Sequence, residues 1–127
     1  MLVDVVVIGG GAAGLSAALL TSKNGLTTHV FDTGDAGVSK AILDNYLGIM
    51  KIEGPDFIDL SRDQVQSHGT ILHQGEEVLE VVPEGGEYRV VTSEGEYISK
   101  YVVIATGHNR EIAKNLGCEI NEDGCIQ

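Results

Sequence analysis

The chain is short of basic residues, short of cysteine and free of long apolar runs, and each shortage narrows what it can do. Eight Lys and Arg stand against 19 Asp and Glu, a net charge of −11. That balance argues against nucleic acid and anionic membrane as partners, since both select positive surfaces. It leaves a phosphate ligand open, because backbone N–H groups bind phosphate locally. The two cysteines, Cys118 and Cys125, are too far apart for a Cys-x-x-Cys pair and too few for a closed zinc site. They read as two ordinary thiols; a disulfide would need the fold to bring them together. No apolar stretch is long enough to span a bilayer. The first strand starts without a basic leader or a small-residue cleavage site, so a cytoplasmic location is expected. The 127 residues are one domain's worth, and a hydrophobic content of 43% suits a globular core.

What is present begins at the N-terminus. Val3 to Ile8 is an apolar run broken only by Asp4, and it ends in Gly9-Gly10-Gly11-Ala12-Ala13-Gly14. The Gly9-x-Gly11-x-x-Gly14 spacing opens an Ala/Leu-rich helical segment, and a second strand ends at Phe31-Asp32. Strand, glycine turn, helix, strand and acid together make a dinucleotide-binding βαβ unit. In such a unit Gly9 permits the tight turn, Gly11 lets a pyrophosphate approach the backbone, and Gly14 lets helix and strand pack closely. The helix N-terminus offers free N–H groups and a positive dipole end. Asp32 is placed to accept hydrogen bonds from ribose hydroxyls, and its charge argues against a 2′-phosphate there. Glycine is common here, so an unliganded βα turn is the bland alternative; the strand before, the helix after and the acid at its proper distance argue against it.

The expected layout is β (3–8), α (12–24), β (27–31), an irregular stretch (33–54), α (55–68), β (70–73), three short strands (76–82, 87–92, 95–99), a buried strand (101–105) and a polar tail with a helical turn. Leu15, Leu19 and Leu20 supply the first helix's larger core groups, and Phe57, Ile58, Leu60 and Val65 form the stripe of the second. Glu84-Gly85-Gly86-Glu87 and Ser93-Glu94-Gly95-Glu96 separate the strands of an antiparallel meander. Tyr101 to Ala105 reads as a parallel strand covered on both faces. The connection from Thr33 to Gly54 is long for a compact domain and follows the ribose acid, so a ligand-covering role is expected.

On these residues the chain resembles the flavin-binding domain of the thioredoxin reductase and pyridine nucleotide–disulfide oxidoreductase family. The likeness rests on Gly9-x-Gly11-x-x-Gly14-x-x-x-Ala18, Phe31-Asp32, Asn45-Tyr46-Leu47-Gly48, the helix leading into Gly69-Thr70-Ile71, the meander, and Val103-Ile104-Ala105-Thr106-Gly107. It covers nearly the whole chain. It implies an α/β Rossmann-like FAD/NAD(P)-binding domain over 1–127, with a parallel sheet, helices on both faces and a three-stranded antiparallel meander. The implied cofactor is FAD, with NAD or ADP as alternatives. The implied contacts are Gly9, Gly11, Ala12, Ala13 and Gly14 on the phosphates, Asp32 and Thr33 near the ribose, Asn45 near the flavin, and Ala105, Thr106 and Gly107 closing the lobe. The family usually carries Glu where this chain has Asp32. After Thr106-Gly107 the chain resembles, from Gly117 to Ile126, the stretch that re-enters the flavin domain after the NADPH domain. That domain and its Cys-x-x-Cys are therefore expected to be absent, as in short single-domain relatives; the family's closing Gly-Asp segment would lie beyond Gln127, so either the chain is truncated or the domain is incomplete. The resemblance implies flavin-mediated electron transfer without a dithiol; a non-catalytic nucleotide-binding or sensing module is the alternative. A redox partner protein and a homodimer stay open, and no catalytic residue is assigned.

Other residues favour plainer readings. His108 reads as a solvated loop histidine, and His29 as a satisfied sheet residue. His68 and His73 do not have a ligand spacing and lack a third ligand, so no metal is expected. Glu76-Glu77 and Glu84 to Glu87 read as solvated turn and edge charges. Tyr46 is equally a flavin-stacking or an ordinary packing aromatic.

Overall fold

The computed structural model describes residues 2–121. Apolar β1 (Leu2–Ile8) pairs in parallel with β2 (Thr28–Asp32), Ile8 lying opposite Phe31. Between them runs α1 (Ala12–Lys23). A 3₁₀ turn (Gly37–Lys40) and the two-residue strands β3 (Ile42–Leu43) and β4 (Ile52–Glu53) lead into α2 (Gly54–Ser67). β5 (Ile71–Gln74) returns to β2 in parallel, and β6 (Val78–Glu84), β7 (Glu87–Thr92) and β8 (Glu96–Ile104) form the meander. α3 (Glu111–Asn115) follows. The main sheet has six strands in the order β5-β2-β1-β8-β7-β6.

One expectation needs correcting. The strands read at 95–99 and 101–105 are a single strand, β8, whose first half pairs antiparallel with β7 and whose second half runs parallel to β1. The junction stays extended because its polar groups are satisfied in place. Ser99 is fully buried, and its hydroxyl donates to the Tyr101 carbonyl at 2.6 Å. Lys100 pairs with Asp4 of β1 at 3.2 Å. The meander thus continues the main sheet. On one face, Val81 and Val90 share a core with Val6, Ile8 and Phe31, and Ile112 and Leu116 at α3 pack on the same cluster. The opposite face takes α1 and α2, through Leu15, Ala18, Phe57, Ile58 and Val65 on Val5, Val7 and Val30. Between β6 and β7, Gly85 and Gly86 take φ of +62° and +82°, the two positive values that a type I′ hairpin turn demands.

Two leucines expected in the core are outside it. Leu20 is 63% exposed and Leu60 is 59% exposed. At about 100° per residue, Leu20 points about 140° away from buried Leu15, while Gly14 and Ala18 face the sheet. The stretch expected to be irregular at 33–54 is pinned at its end. The Gly54 N–H donates to the Ala41 carbonyl at 2.8 Å, and a Cβ on Gly54 would collide with the Val38 carbonyl oxygen.

Candidate nucleotide site

Three strand ends meet at the glycine turn. The Gly9 N–H donates to the Phe31 carbonyl at 2.9 Å, and the Ala105 N–H donates to the Ile8 carbonyl at 2.8 Å. Each glycine is there for a different reason. Gly9 has φ +111°, and a Cβ on it would strike the Ala105 carbonyl. A Cβ on Gly14 would strike the Gly9 carbonyl. A Cβ on Gly11 would find only the Ala36 methyl, at 3.8 Å, so the space before it is open. Gly10, which the spacing motif leaves as a free position, lies flat under the Asp32 carboxylate, and any Cβ there would collide with it.

This open space is part of a cavity of about 510 Å³. Gly9, Gly11, Ala12 and Ala13 line one side, Asp32 and Thr33 the next, and Ala105, Thr106 and Gly107 another. Gly14 is buried behind the turn. Asn45 is not on the lining; it lies on the exposed 44–48 stretch. Its neighbour Tyr46 lies tilted against Phe57, with ring centroids 5.2 Å apart, at a separate hollow of about 180 Å³ between α1 and α2. His108 is exposed at the rim of the larger cavity. Cys118 is an exposed free thiol; Cys125, and with it any pairing of the two, lies outside the described residues.

Asp32 is buried, and both of its oxygens are engaged. Oδ1 accepts the Gly34 N–H at 2.9 Å, and Oδ2 accepts from Arg62 Nη2 at 3.0 Å. Arg62 escaped the sequence reading, although a signal existed. It falls between Ile58 and Val65 on the apolar face of α2, and a charge in such a stripe calls for a partner.

Glu76 corrects a further expectation. It is 5% exposed, lines the cavity and is bonded on both oxygens. Oε1 accepts from Thr92 Oγ1 at 2.5 Å, and Oε2 lies 3.2 Å from His73 Nδ1. His73 Nε2 in turn lies 2.8 Å from His29 Nδ1. His29, His73 and Glu76 thus form one hydrogen-bonded chain, and which ring nitrogen donates depends on the tautomers. Burial, and then the neighbouring His73 ring, hold His29 below the ordinary histidine range, with Glu76 pulling the other way. Tyr97 meets both rings at an angle, tilted against His29 and edge-on to His73.

A lowered pKa means that the unfolded chain binds the extra proton first. The contribution of neutral His29 is therefore intact above about pH 6.5 and is lost as pH falls below it. Wild type should thus progressively lose its stability advantage over His29→Asn as pH falls below about 6.5, as read by urea midpoints. A gap that does not change with pH would show that His29 does not titrate in this window.

The geometry suits an ADP moiety. The α1 N-terminus has no side-chain cap, Gly11 leaves its approach clear, and a buried acid stands at the next strand end. Fold and cavity therefore define the class, a Rossmann-type domain with an open cavity at the carboxyl ends of its parallel strands, where domains of this class bind dinucleotides. Residues 4–43 match the family described as FAD binding domain. The chain is 37% identical over 108 residues to thioredoxin reductase of Listeria monocytogenes, covering 82% of this chain and 33% of that protein. It is similar to the solved thioredoxin reductase of T. acidophilum, with TM-score 0.78 and 32% identity over 85% of this chain and 36% of that one. For the atypical thioredoxin reductase of Desulfovibrio vulgaris Hildenborough the TM-score is 0.77 at 31% identity, over 93% of this chain and 42% of that one. The chain thus spans about a third of the length of the curated relatives it matches. It is a thioredoxin-reductase-like FAD-binding domain. No helix among the described residues is long and apolar enough to cross a membrane.

Proposed function

We propose that residues 1–127 form one FAD-binding redox domain that passes electrons through its flavin without a dithiol of its own, in a cytoplasmic setting. The observation that carries this reading is the single cavity joining the glycine turn, Asp32 and the Ala105-Thr106-Gly107 turn. The pyrophosphate would lie on the α1 N-terminus and the ribose against Asp32 and Thr33. The cavity continues past Asp32 to Glu77 and Val78, which leaves room for the base. A bound flavin supplies the electron chemistry; the protein binds it, orients it and sets its electrostatic surroundings. The sequence holds no Cys-x-x-Cys, so a disulfide substrate would have to meet the flavin directly or through a partner. The electron donor would be a partner protein or free NAD(P)H. Purified protein that stays colourless and gains no flavin absorbance with excess FAD would overturn this reading.

The missing Cys-x-x-Cys also favours a second reading, a nucleotide-binding or sensing module without turnover. FAD uptake with no NAD(P)H oxidation by any acceptor would select it.

The lining residues also bear on which half of the ligand is held. They belong mainly to the glycine turn, the ribose acid with the 35–38 segment after it, the 76–78 segment and the 105–109 turn, while Asn45 and Tyr46 stand apart. ADP should therefore bind with an affinity close to that of FAD, because the shared half carries the specific contacts. Calorimetric titration of both ligands checks this. FAD binding more than about a hundredfold tighter, roughly 2.7 kcal/mol, would place substantial flavin contacts on this chain.

A further inference from the structure

We propose that Arg62 is a positioning residue that fixes Asp32 to read a ribose 2′,3′-diol, and thereby sets a preference for ribonucleotide over deoxyribonucleotide ligands. The inference rests on the nucleotide reading of the cavity and adds a specificity device to it. An ionised carboxylate has about four acceptor sites. The Gly34 N–H takes one on Oδ1 and Arg62 takes one on Oδ2. About one site per oxygen is left, the number that a vicinal diol fills. Gly10, with no Cβ, forms the floor beneath the carboxylate. The acid is thus held from three sides before any ligand arrives, which removes an ordering cost from binding.

Arg62 is not on the cavity lining, so it acts through Asp32 alone. Its other acidic neighbour, Asp59, is 3.8 Å away and largely exposed, a weak competitor for the guanidinium. The positive charge has a second consequence. A buried carboxylate close to the anionic pyrophosphate would be repelled, and the guanidinium offsets that repulsion. Charge and fork geometry can be separated, because lysine keeps the first and loses the second.

The test is the ratio of dissociation constants for 2′-deoxy-ADP and ADP, measured by calorimetry. Wild type should favour ADP about tenfold or more, as expected for a hydrogen bond to a charged acceptor. Arg62→Met, similar in length but uncharged, should reduce the ratio to less than about threefold, with Arg62→Lys between the two. General damage to the fold weakens both ligands together and leaves the ratio unchanged, so the ratio reports the orientation of Asp32. Should the methionine variant fail to fold, Arg62→Gln is read by the same ratio. A variant that keeps the wild-type ratio overturns the proposal. Equal binding of both nucleotides by wild type also overturns it, yet leaves the nucleotide site standing. Wild type binding neither would remove the nucleotide site itself.

Discussion

Gly14→Ala is expected to cost about 3 kcal/mol of stability or more, an overpacking penalty at the upper end of its usual range. Two effects oppose each other at this position. Alanine is the better helix former, by about 1 kcal/mol, so propensity alone predicts a more stable α1. The added methyl, however, would occupy the space of the Gly9 carbonyl oxygen, with the Val7 side chain 3.3 Å away on the other side. Neither neighbour can yield. Gly9 is tied to Phe31 and packed on Ala105, and Val7 is fully buried in the central strand. To admit the methyl, α1 must lift from β1 and pull Leu15 and Ala18 out of the core they share with Val5, Val30 and Ile58. Against a typical domain stability of 5–15 kcal/mol, a loss of about this size leaves a large unfolded fraction on warming. Urea titration followed by circular dichroism measures it. A variant as stable as wild type would show that α1 slides along the sheet without loss.

The same contrast explains what could be read in the sequence. The βαβ unit was legible because its determinants are local: an apolar run, glycines at fixed spacing, a helix and an acid within about thirty residues. The type I′ turn at Gly85-Gly86 was legible for the same reason. The continuity of β8 was not. Whether Ser99-Lys100 turns or stays extended is decided by Asp4, nearly a hundred residues earlier, and by partners of opposite direction on either side. Glu76 looked like a surface charge because its neighbours Gly75 and Glu77 suggest a turn. Its burial follows from His73 and Thr92, which only the sheet brings to it. Leu20 and Leu60 were misplaced for a simpler reason, since hydrophobicity in a helix says little until the small residues are known to face the sheet. The site was half visible. Spacing points to the glycine turn and Asp32 as ligand contacts, whereas Gly10 and Arg62 act on Asp32 itself, and no spacing rule encodes a contact between helix α2 and the end of β2.

Gly11→Val should remove nucleotide binding while leaving the fold intact. Gly11 has φ −81° and ψ −169°, extended backbone that a β-branched residue adopts freely. Its Cβ meets nothing closer than the Ala36 methyl at 3.8 Å, so the folded protein has room for it. Valine also narrows the freedom of the unfolded chain, which favours the native state slightly. The melting temperature should therefore stay within a few degrees of wild type, about 1 kcal/mol at most. Binding is a different matter. The two methyl groups would project into the cavity in front of the α1 N-terminus, where a pyrophosphate must reach the backbone N–H groups. Neither methyl can move aside, because both are carried on a Cβ fixed to the turn, and the lost contacts are charge-assisted hydrogen bonds. Affinity for ADP and for FAD should each fall by at least a hundredfold, roughly 2.7 kcal/mol or more. Equal losses for the two ligands would locate the shared pyrophosphate at Gly11. Unchanged affinity in a folded Gly11→Val protein would place the nucleotide elsewhere, and the glycine turn would then serve only to pack α1 on β1.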